Sequence, residues 1–217
     1  MRVIAGRLRR RTLDAPPGMA TRPTSDRLRE TLFNVLAPRT EGARFLDLYA
    51  GSGAVGIEAL SRGAQRVVFV EKAPAALKVL RANLEGLGIR DGFSVQAGPV
   101  GTFLKRARSG EGGFDVVFLD PPYEAEGEYA ATLGLLGGAE IPPRSQMRDL
   151  HPTNEDPFAG APGLGHPTEG VLARGAVVIA EHRRKFQLDE EFGALKRTRL
   201  LEQGDAALSF YEAVTSY

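Results

Sequence analysis

At 217 residues, of which 42% are apolar, the chain is long enough to bury a real core and fits one domain with a small appendage. It contains no cysteine, which excludes a disulfide framework and a thiolate metal site. No apolar run approaches the roughly eighteen residues that span a bilayer, and the basic N-terminus lacks the apolar stretch of a signal peptide, so a cytoplasmic protein without membrane association is expected.

The formal net charge is only +1, but it is unevenly spread. Between Met1 and Arg29 stand eight arginines, at positions 2, 7, 9, 10, 11, 22, 27 and 29, against Asp14 and Asp26. A local basic block on a near-neutral chain points to an anionic partner met at one face. The block contains arginine and no lysine, which favours phosphate, since the planar guanidinium grips phosphate through two parallel hydrogen bonds.

In chain order, Arg2 to Leu13 reads as a small hairpin around Gly6-Arg7. Asp26 to Leu36 carries Leu28, Leu32, Val35 and Leu36 on one stripe, the pattern of an amphipathic helix. Thr24 or Ser25 is its expected N-cap, and Pro38 is expected just past its end. Short β-rich runs then alternate with helical patterns: Arg44 to Tyr49 as a strand, Gly53 to Ser61 as a helix, and Val67 to Val70 as a strand. A helix follows through Ala75, Leu77, Leu80 and Leu84, then Phe93 to Ala97 as a strand and a helix holding Phe103 and Leu104. Phe114 to Leu119 and Ala176 to Ala180 are continuous apolar runs of the kind buried at the centre of a parallel sheet. Residues 137–171, dominated by Gly, Pro, His and Asn, show no period and read as a surface insertion. Thr198 to Leu201, Gly204-Asp205 and Ala207 to Tyr211 read as an antiparallel hairpin closing the sheet edge. The whole is an α/β, doubly wound sheet with helices on both faces.

Two motifs carry chemistry. Asp47-Leu48-Tyr49-Ala50-Gly51-Ser52-Gly53 lies at a strand-to-helix junction, where glycines admit a ligand close to the backbone and the helix start offers free N–H groups. Glu71, at the tip of the next strand, is placed to accept two ribose hydroxyls, in the crevice where such sheets bind ligands. By itself this loop does not separate a dinucleotide enzyme from a methyltransferase, because Gly51 to Gly56 also satisfies the G-x-G-x-x-G fingerprint. Asp47, ahead of the first glycine, suits the methyltransferase loop, where it braces the loop or the cofactor amine.

The second motif, Asp120-Pro121-Pro122-Tyr123, has no place in a dehydrogenase. An aromatic amine is a poor nucleophile because its lone pair is delocalised into the ring. The Asp120 carboxylate and a backbone carbonyl, that of Pro121, are suited to accept the two N–H protons and free that lone pair. Pro121 and Pro122 stiffen the turn that aims these acceptors, and Tyr123 offers a face on which a flipped base stacks. No metal is expected: His151 and His166 lie in the insertion and read as solvated. His182 reads as a surface or RNA-facing residue in preference to a catalytic base.

The chain resembles the bacterial RsmD-type 16S rRNA guanine-N2 methyltransferases from Arg2 to Tyr217, apart from the insertion. The narrowest part of the likeness is Thr21-Arg22-Pro23-Thr24-Ser25-Asp26-Arg27-Leu28-Arg29-Glu30-Thr31-Leu32-Phe33-Asn34-Val35-Leu36. It continues in Leu46 to Gly53, Glu58 to Ala64, Val70-Glu71, Asn83-Leu84 and Phe118 to Tyr123. The resemblance implies a Rossmann-like class I S-adenosylmethionine-dependent methyltransferase domain over 39–217, with a basic hairpin and helix extension over 1–38. It implies methyl transfer to N2 of a guanine in 16S rRNA of a partly assembled small subunit; a monomer is expected. Asp120, Pro121, Pro122 and Tyr123 would then form the reaction centre. Thr24, Asp47, Tyr49, Ala50, Gly51, Ser52, Gly53 and Glu71 would hold the cofactor, with Thr24 near its methionine end. Arg7, Arg9, Arg10, Arg11 and Arg22 would hold RNA phosphates. Where relatives carry an acidic residue near the cofactor adenine, this chain has Ala97-Gly98-Pro99, so no side chain is assigned to that contact. The alternatives are another amine, adenine N6 or a glutamine side chain, or a non-catalytic RNA-binding assembly factor; Asp in place of Asn at position 120 argues against the former, and the intact cofactor loop against the latter.

Overall fold

The computed structural model describes residues 1–16, 25–107, 113–122, 125–138 and 171–214. In chain order they form α1 (Asp26–Thr40), β1 (Arg44–Leu48), α2 (Ala54–Ser61), β2 (Arg66–Glu71), α3 (Pro74–Gly86), β3 (Phe93–Ala97) and α4 (Val100–Ala107). Then follow β4 (Phe114–Leu119), α5 (Gly127–Leu136), β5 (Leu172–Arg183), β6 (Glu191–Phe192), β7 (Leu195–Gln203) and β8 (Ala206–Ala213). The strands make one sheet in the order β3-β2-β1-β4-β5-β8-β7-β6. Strands β1 to β5 pair in parallel, and β8, β7 and β6 extend the sheet antiparallel. The expected doubly wound sheet with an antiparallel C-terminal end is present. Strand order reverses between β1 and β4, and ligands of such sheets bind at that switch point, outside the carboxyl ends of the strands.

Because side chains alternate across a strand, each parallel strand feeds two cores. Phe45, Val67, Phe69, Val116, Phe118, Val177 and Ile179 point to the side covered by α1, α2 and α3. Leu46, Leu48, Val68, Val70, Val117, Leu119, Val178 and Ala180 point to the side covered by α4 and α5. Val3, Leu13, Leu28, Leu32, Phe33 and Leu36 join the first core, so the N-terminal segment and α1 are packed on the sheet.

Several elements depart from the expectation. Helix α1 runs through Pro38 to Thr40. The proline costs one helical hydrogen bond in the last turn, where Thr40 Oγ1 donates to the Leu36 carbonyl at 2.9 Å. Ser25 is the N-cap, its hydroxyl accepting from Leu28 N at 3.1 Å. The N-terminal hairpin is reduced to a single antiparallel bridge, Arg2 with Thr12, because the chain between them turns onto α2. Strand β5 is longer than its apolar run, taking in Glu181, His182 and Arg183 by pairing with Leu208, Ala207 and Ala206 of β8. Helix α5 is not legible as a periodic stripe: its small residues and glycines blur the apolar face, which Tyr129, Leu133 and Leu136 nevertheless bury. Of the insertion, residues 139–170 lie outside the described residues. No helix among the described residues is long and apolar enough to cross a membrane.

Candidate active site

The loop after β1 is shaped by its own carboxylates and glycines. Tyr49 has φ 60°, Gly51 φ 56° and Gly53 φ 81°, all in the left-handed region. At Gly53 a Cβ would lie 2.2 Å from Leu80 Cδ1, which would have to shift, and the left-handed φ of 81° strains any other residue there. Gly53 N donates to the Ala50 carbonyl at 2.7 Å, and its own carbonyl starts α2 by accepting from Ile57 N at 2.8 Å. Asn83 on α3 donates through Nδ2 to the Ser52 carbonyl at 2.9 Å, clamping the loop from the side.

Asp47 sits beneath this turn, with Oδ2 accepting from Gly56 N at 2.9 Å. Burial pushes its carboxyl up to about 8, a rise the Gly56 bond opposes and Glu71 adds to. Of the two roles considered for Asp47, bracing the loop is the one its hydrogen bond performs. Glu71 ends β2 and takes three backbone amides: Gly51 N on Oε2 at 2.8 Å, and Lys72 N and Ala73 N on Oε1 at 2.8 and 2.7 Å. The Tyr49 ring turns to α5, where its hydroxyl donates to Glu128 Oε2 at 2.8 Å and accepts from Thr132 Oγ1 at 2.7 Å.

Asp120 follows β4, one strand over from the glycine loop. Its carboxyl is pushed well above the usual carboxylate range, first by burial, then by the nearby Glu181 and Asp47 carboxylates. Pro121 is buried and Pro122 exposed. The Pro122 carbonyl accepts from Ala125 N at 2.8 Å, which closes the turn leading into α5. The structure therefore gathers Asp47, Tyr49 to Gly53, Glu71 and the Asp120-Pro121-Pro122 turn at the carboxyl ends of β1, β2 and β4. Thr24, Arg22 and Tyr123 lie outside the described residues.

The arginines divide into two groups. Arg9 and Arg10 line a cavity of about 450 Å³ together with Arg2, Arg27, Asp26 and Glu30. Arg7 and Arg11, although exposed, reach onto the helices: Arg7 N donates to the Ser61 carbonyl at 2.8 Å and Arg11 Nη2 to the Gly86 carbonyl at 2.9 Å.

Three charged residues important to this architecture are not singled out by the sequence reading. Glu58, fully buried in α2, accepts from Ile4 N at 2.7 Å, Ala5 N at 3.0 Å and Arg62 Nε at 2.7 Å. It fastens the N-terminal segment to α2. Arg29, fully buried in α1, donates to the Arg2 carbonyl at 2.6 Å and to Asp26 Oδ1 at 2.9 Å. Glu181, 2% exposed, stands in β5 beside Asp120. The available signal is alternation: Glu181 continues the Val177, Ile179 face of an apolar strand, a position where an acid is costly unless it is used. His182, expected at the surface, is instead 2% exposed on the opposite face. Its Nε2 meets Ser209 Oγ at 2.9 Å and its ring lies edge-on to Tyr129 and Phe186, so it is a packed core histidine. Pairing of β5 with β8 extends the sheet past the apolar run and covers it.

The chain is similar to known proteins. The family model described as "Conserved hypothetical protein 95" matches residues 1–141. A Bacillus subtilis protein named "Putative rRNA methyltransferase YlbH" is 34% identical over 212 residues, covering 98% of each chain. The Escherichia coli "Ribosomal RNA small subunit methyltransferase D" is 38% identical over 136 residues, 63% of this chain and 66% of that one. Among solved structures, an Escherichia coli protein titled "Putative methyltransferase yhhF" superposes with a TM-score of 0.72 at 31% identity, covering 98% of this chain and 97% of that one. With one family model spanning more than half of the chain and a relative aligned end to end, the chain belongs to the Conserved hypothetical protein 95 family, the RsmD-type methyltransferases that its N-terminal signature resembles.

Proposed function

We propose that this chain transfers the methyl group of S-adenosylmethionine to the exocyclic N2 amine of a guanine in 16S rRNA, within a partly assembled small subunit and as a cytoplasmic monomer. The observation that carries the reading is the placement of Asp120, on a proline-stiffened turn one strand from a glycine loop closed by Glu71. The names of the aligned relatives support ribosomal RNA as the substrate class.

The residues present fit the cofactor. The Gly51 to Gly53 turn presents bare backbone at the strand ends, and Glu71 spends three acceptor positions on backbone amides. A carboxylate has about four such positions, so Glu71 keeps one for a ribose hydroxyl instead of the two-fold grip expected of it. Asp47 holds the loop from below, and Tyr49, tied to α5, contributes backbone in place of its ring. Thr24 would meet the methionine end. The cofactor supplies an electrophilic methyl group on a sulfonium.

Asp120 and the Pro121 carbonyl accept the two amine protons, localise the nitrogen lone pair and hold it in line. Tyr123 stacks on the flipped base. Catalysis is then positioning plus electrostatics, which removes reorganisation from the barrier. In this reading residues 1–38 are an RNA-facing extension docked on the 39–217 domain. Arg2, Arg9, Arg10 and Arg27 face phosphate, whereas Arg7 and Arg11 help seat the extension on α2 and α3.

The test is transfer of labelled methyl groups to undermethylated small-subunit particles, followed by nucleoside analysis. Label on guanine N2 is expected. Label on adenine or protein would overturn the proposed base, and no label would overturn the reading altogether.

A further inference from the structure

The cavity between the N-terminal segment and α1 shares no residue with the glycine loop or the Asp120 turn. Its volume of about 450 Å³ is that of a small-ligand site, for which roughly 300–1,000 Å³ is usual. One side comes from the N-terminal segment, with Arg2, Arg9 and Arg10, and the other from the first turns of α1, with Asp26, Arg27 and Glu30. The arginine turn is held in place from α2. Ile4 N and Ala5 N donate to Glu58 at 2.7 and 3.0 Å, and Leu8 N donates to Ser61 Oγ at 3.0 Å. A Cβ at Gly6 would lie 1.8 Å from the Ser61 carbonyl oxygen, so the turn comes this close to α2 only with glycine there. Arg10 N donates to the Val3 carbonyl at 2.9 Å, and Arg10 itself holds a left-handed φ of 70°, uncommon for a residue with a side chain. The arginines are therefore presented by a fixed turn, which lowers the ordering cost of binding.

Four arginines against two acids leave a formal charge of +2 on the walls. The two acids differ in what they are free to do. Asp26 is occupied: Oδ1 accepts from Arg29 Nη2 at 2.9 Å, and Oδ2 lies 3.3 Å from Arg2 Nε. Glu30 is exposed and, among the described residues, its carboxylate has no hydrogen bond or ion pair. Arg27 stands three residues before it, the spacing of a helical ion pair, yet the two do not join. The guanidiniums of Arg9, Arg10 and Arg27 are likewise unpaired among the described residues. Three free guanidiniums suit a phosphate. A free carboxylate beside them repels that anion and instead suits a group that carries N–H donors. Its two oxygens accept two parallel N–H bonds at once. Of the four RNA bases only guanine offers two neighbouring donors on one edge, N1–H and N2–H. Val3 and Ile4 add an apolar wall for the face of a base.

We propose that this cavity is a nucleotide pocket for an unpaired guanine of the RNA, other than the base presented to Asp120. Arg9, Arg10 and Arg27 hold its phosphate, and Glu30 takes its N1–H and N2–H. Unpaired bases are read on this edge in RNA recognition. The phosphate contact positions the strand and the base contact selects it, so the extension sets the register in which the strand reaches the reaction centre. The proposal rests on RNA as the substrate class, but not on the cofactor or on which base is methylated.

The test uses the full chain at low salt, titrated with 5′-GMP, 5′-UMP and inorganic phosphate. Binding is read from the methyl resonances of Val3 and Ile4, which line this cavity. GMP should bind about fivefold more tightly than UMP, as a two-bond contact to one base requires, and more tightly than phosphate. Equal affinity for GMP and UMP would overturn the proposal, and equal affinity for GMP and phosphate would reduce the cavity to an anion site and overturn it too. Methyl resonances that move with none of the three probes would do the same. Glu30→Gln, at an exposed position, should cut the preference for GMP over UMP to less than twofold without weakening phosphate; a retained preference removes Glu30 from the pocket. Replacing Arg9 and Arg10 together by Ala should weaken all three probes, and unchanged affinities would contradict the phosphate contact. If GMP binds as expected but the full chain neither binds nor methylates ribosomal RNA, the RNA reading fails and the cavity remains a nucleotide site. Loss of base preference in a chain that does methylate ribosomal RNA sinks the pocket alone.

Discussion

The two faces of the sheet receive the same strands and build opposite things. On the α4–α5 side, the residues at the strand ends are Leu48, Leu119 and Ala180, followed by His182 packed among Tyr129, Phe186 and Ser209. Both ring nitrogens of His182 have protein partners, and burial lowers its affinity for a proton. On the α1–α3 side, one residue along, the strand ends carry Asp47, Asp120 and Glu181, and the helices bring Arg29 and Glu58. A period of two along each strand turns one sheet into a passive wall and a charged site. Charged groups are costly to bury, and such groups concentrate where a protein acts.

Four experiments probe this division of labour. The largest effect is expected for Asp120→Ala, which should lower the single-turnover methylation rate by about a thousandfold while cofactor affinity by calorimetry stays within a few-fold. Retained turnover would remove chemistry from the charged face. Next, Leu133→Ala on α5, a fully buried side chain of the opposite core, should cost about 2–5 kcal/mol in denaturant unfolding, with turnover per folded molecule unchanged. A turnover loss beyond the unfolded fraction would break the separation of the faces.

The third concerns Asp47. Its folded value of about 8 lies above the ordinary aspartate value of 3.8. The fold therefore binds that proton more tightly than the unfolded chain does, and stability falls as pH rises from about 4 towards 8. Asp47→Asn keeps an acceptor for Gly56 N without the charge. The melting temperature of the wild type should fall with pH more steeply, by a few degrees over that window; parallel curves would mean the carboxyl is not strained. The smallest effect is expected at the extension. Removing the charges of Arg9, Arg10 and Arg11 together should weaken RNA binding and reduce its salt slope by about one for each phosphate no longer neutralised. An unaltered slope would leave those arginines as solvated surface. Since Arg11 is engaged with the Gly86 carbonyl, Arg9 and Arg10 should account for most of the change.

The sequence makes some parts of this molecule plain and hides others, for physical reasons. Strands β1, β2, β3 and β4 and helices α2 and α3 are legible because apolar runs and punctuating glycines are local signals. The glycine loop and the Asp120 turn are legible for the same reason: strand, tight turn and acid lie within a few residues of one another. Helix α5 is not, since Gly134 and its small neighbours blur its stripe and its apolar face is recognisable only once the sheet lies beneath it. The depth of His182 depends on β8 pairing alongside β5, which joins segments more than twenty residues apart.

By itself, then, the sequence determined an α/β sheet, a glycine-rich turn at Asp47 to Gly53 and a proline-stiffened acidic turn at Asp120, because each is written in adjacent residues. Only the tertiary structure decided that Glu181 and Asp47 flank that acid, that Glu58 and Arg29 fasten the extension beside it, and that Glu71 spends most of its carboxylate on the backbone. These depend on strand order and register, which set which distant residues share a face, and therefore which charges meet in a place dry enough for them to matter.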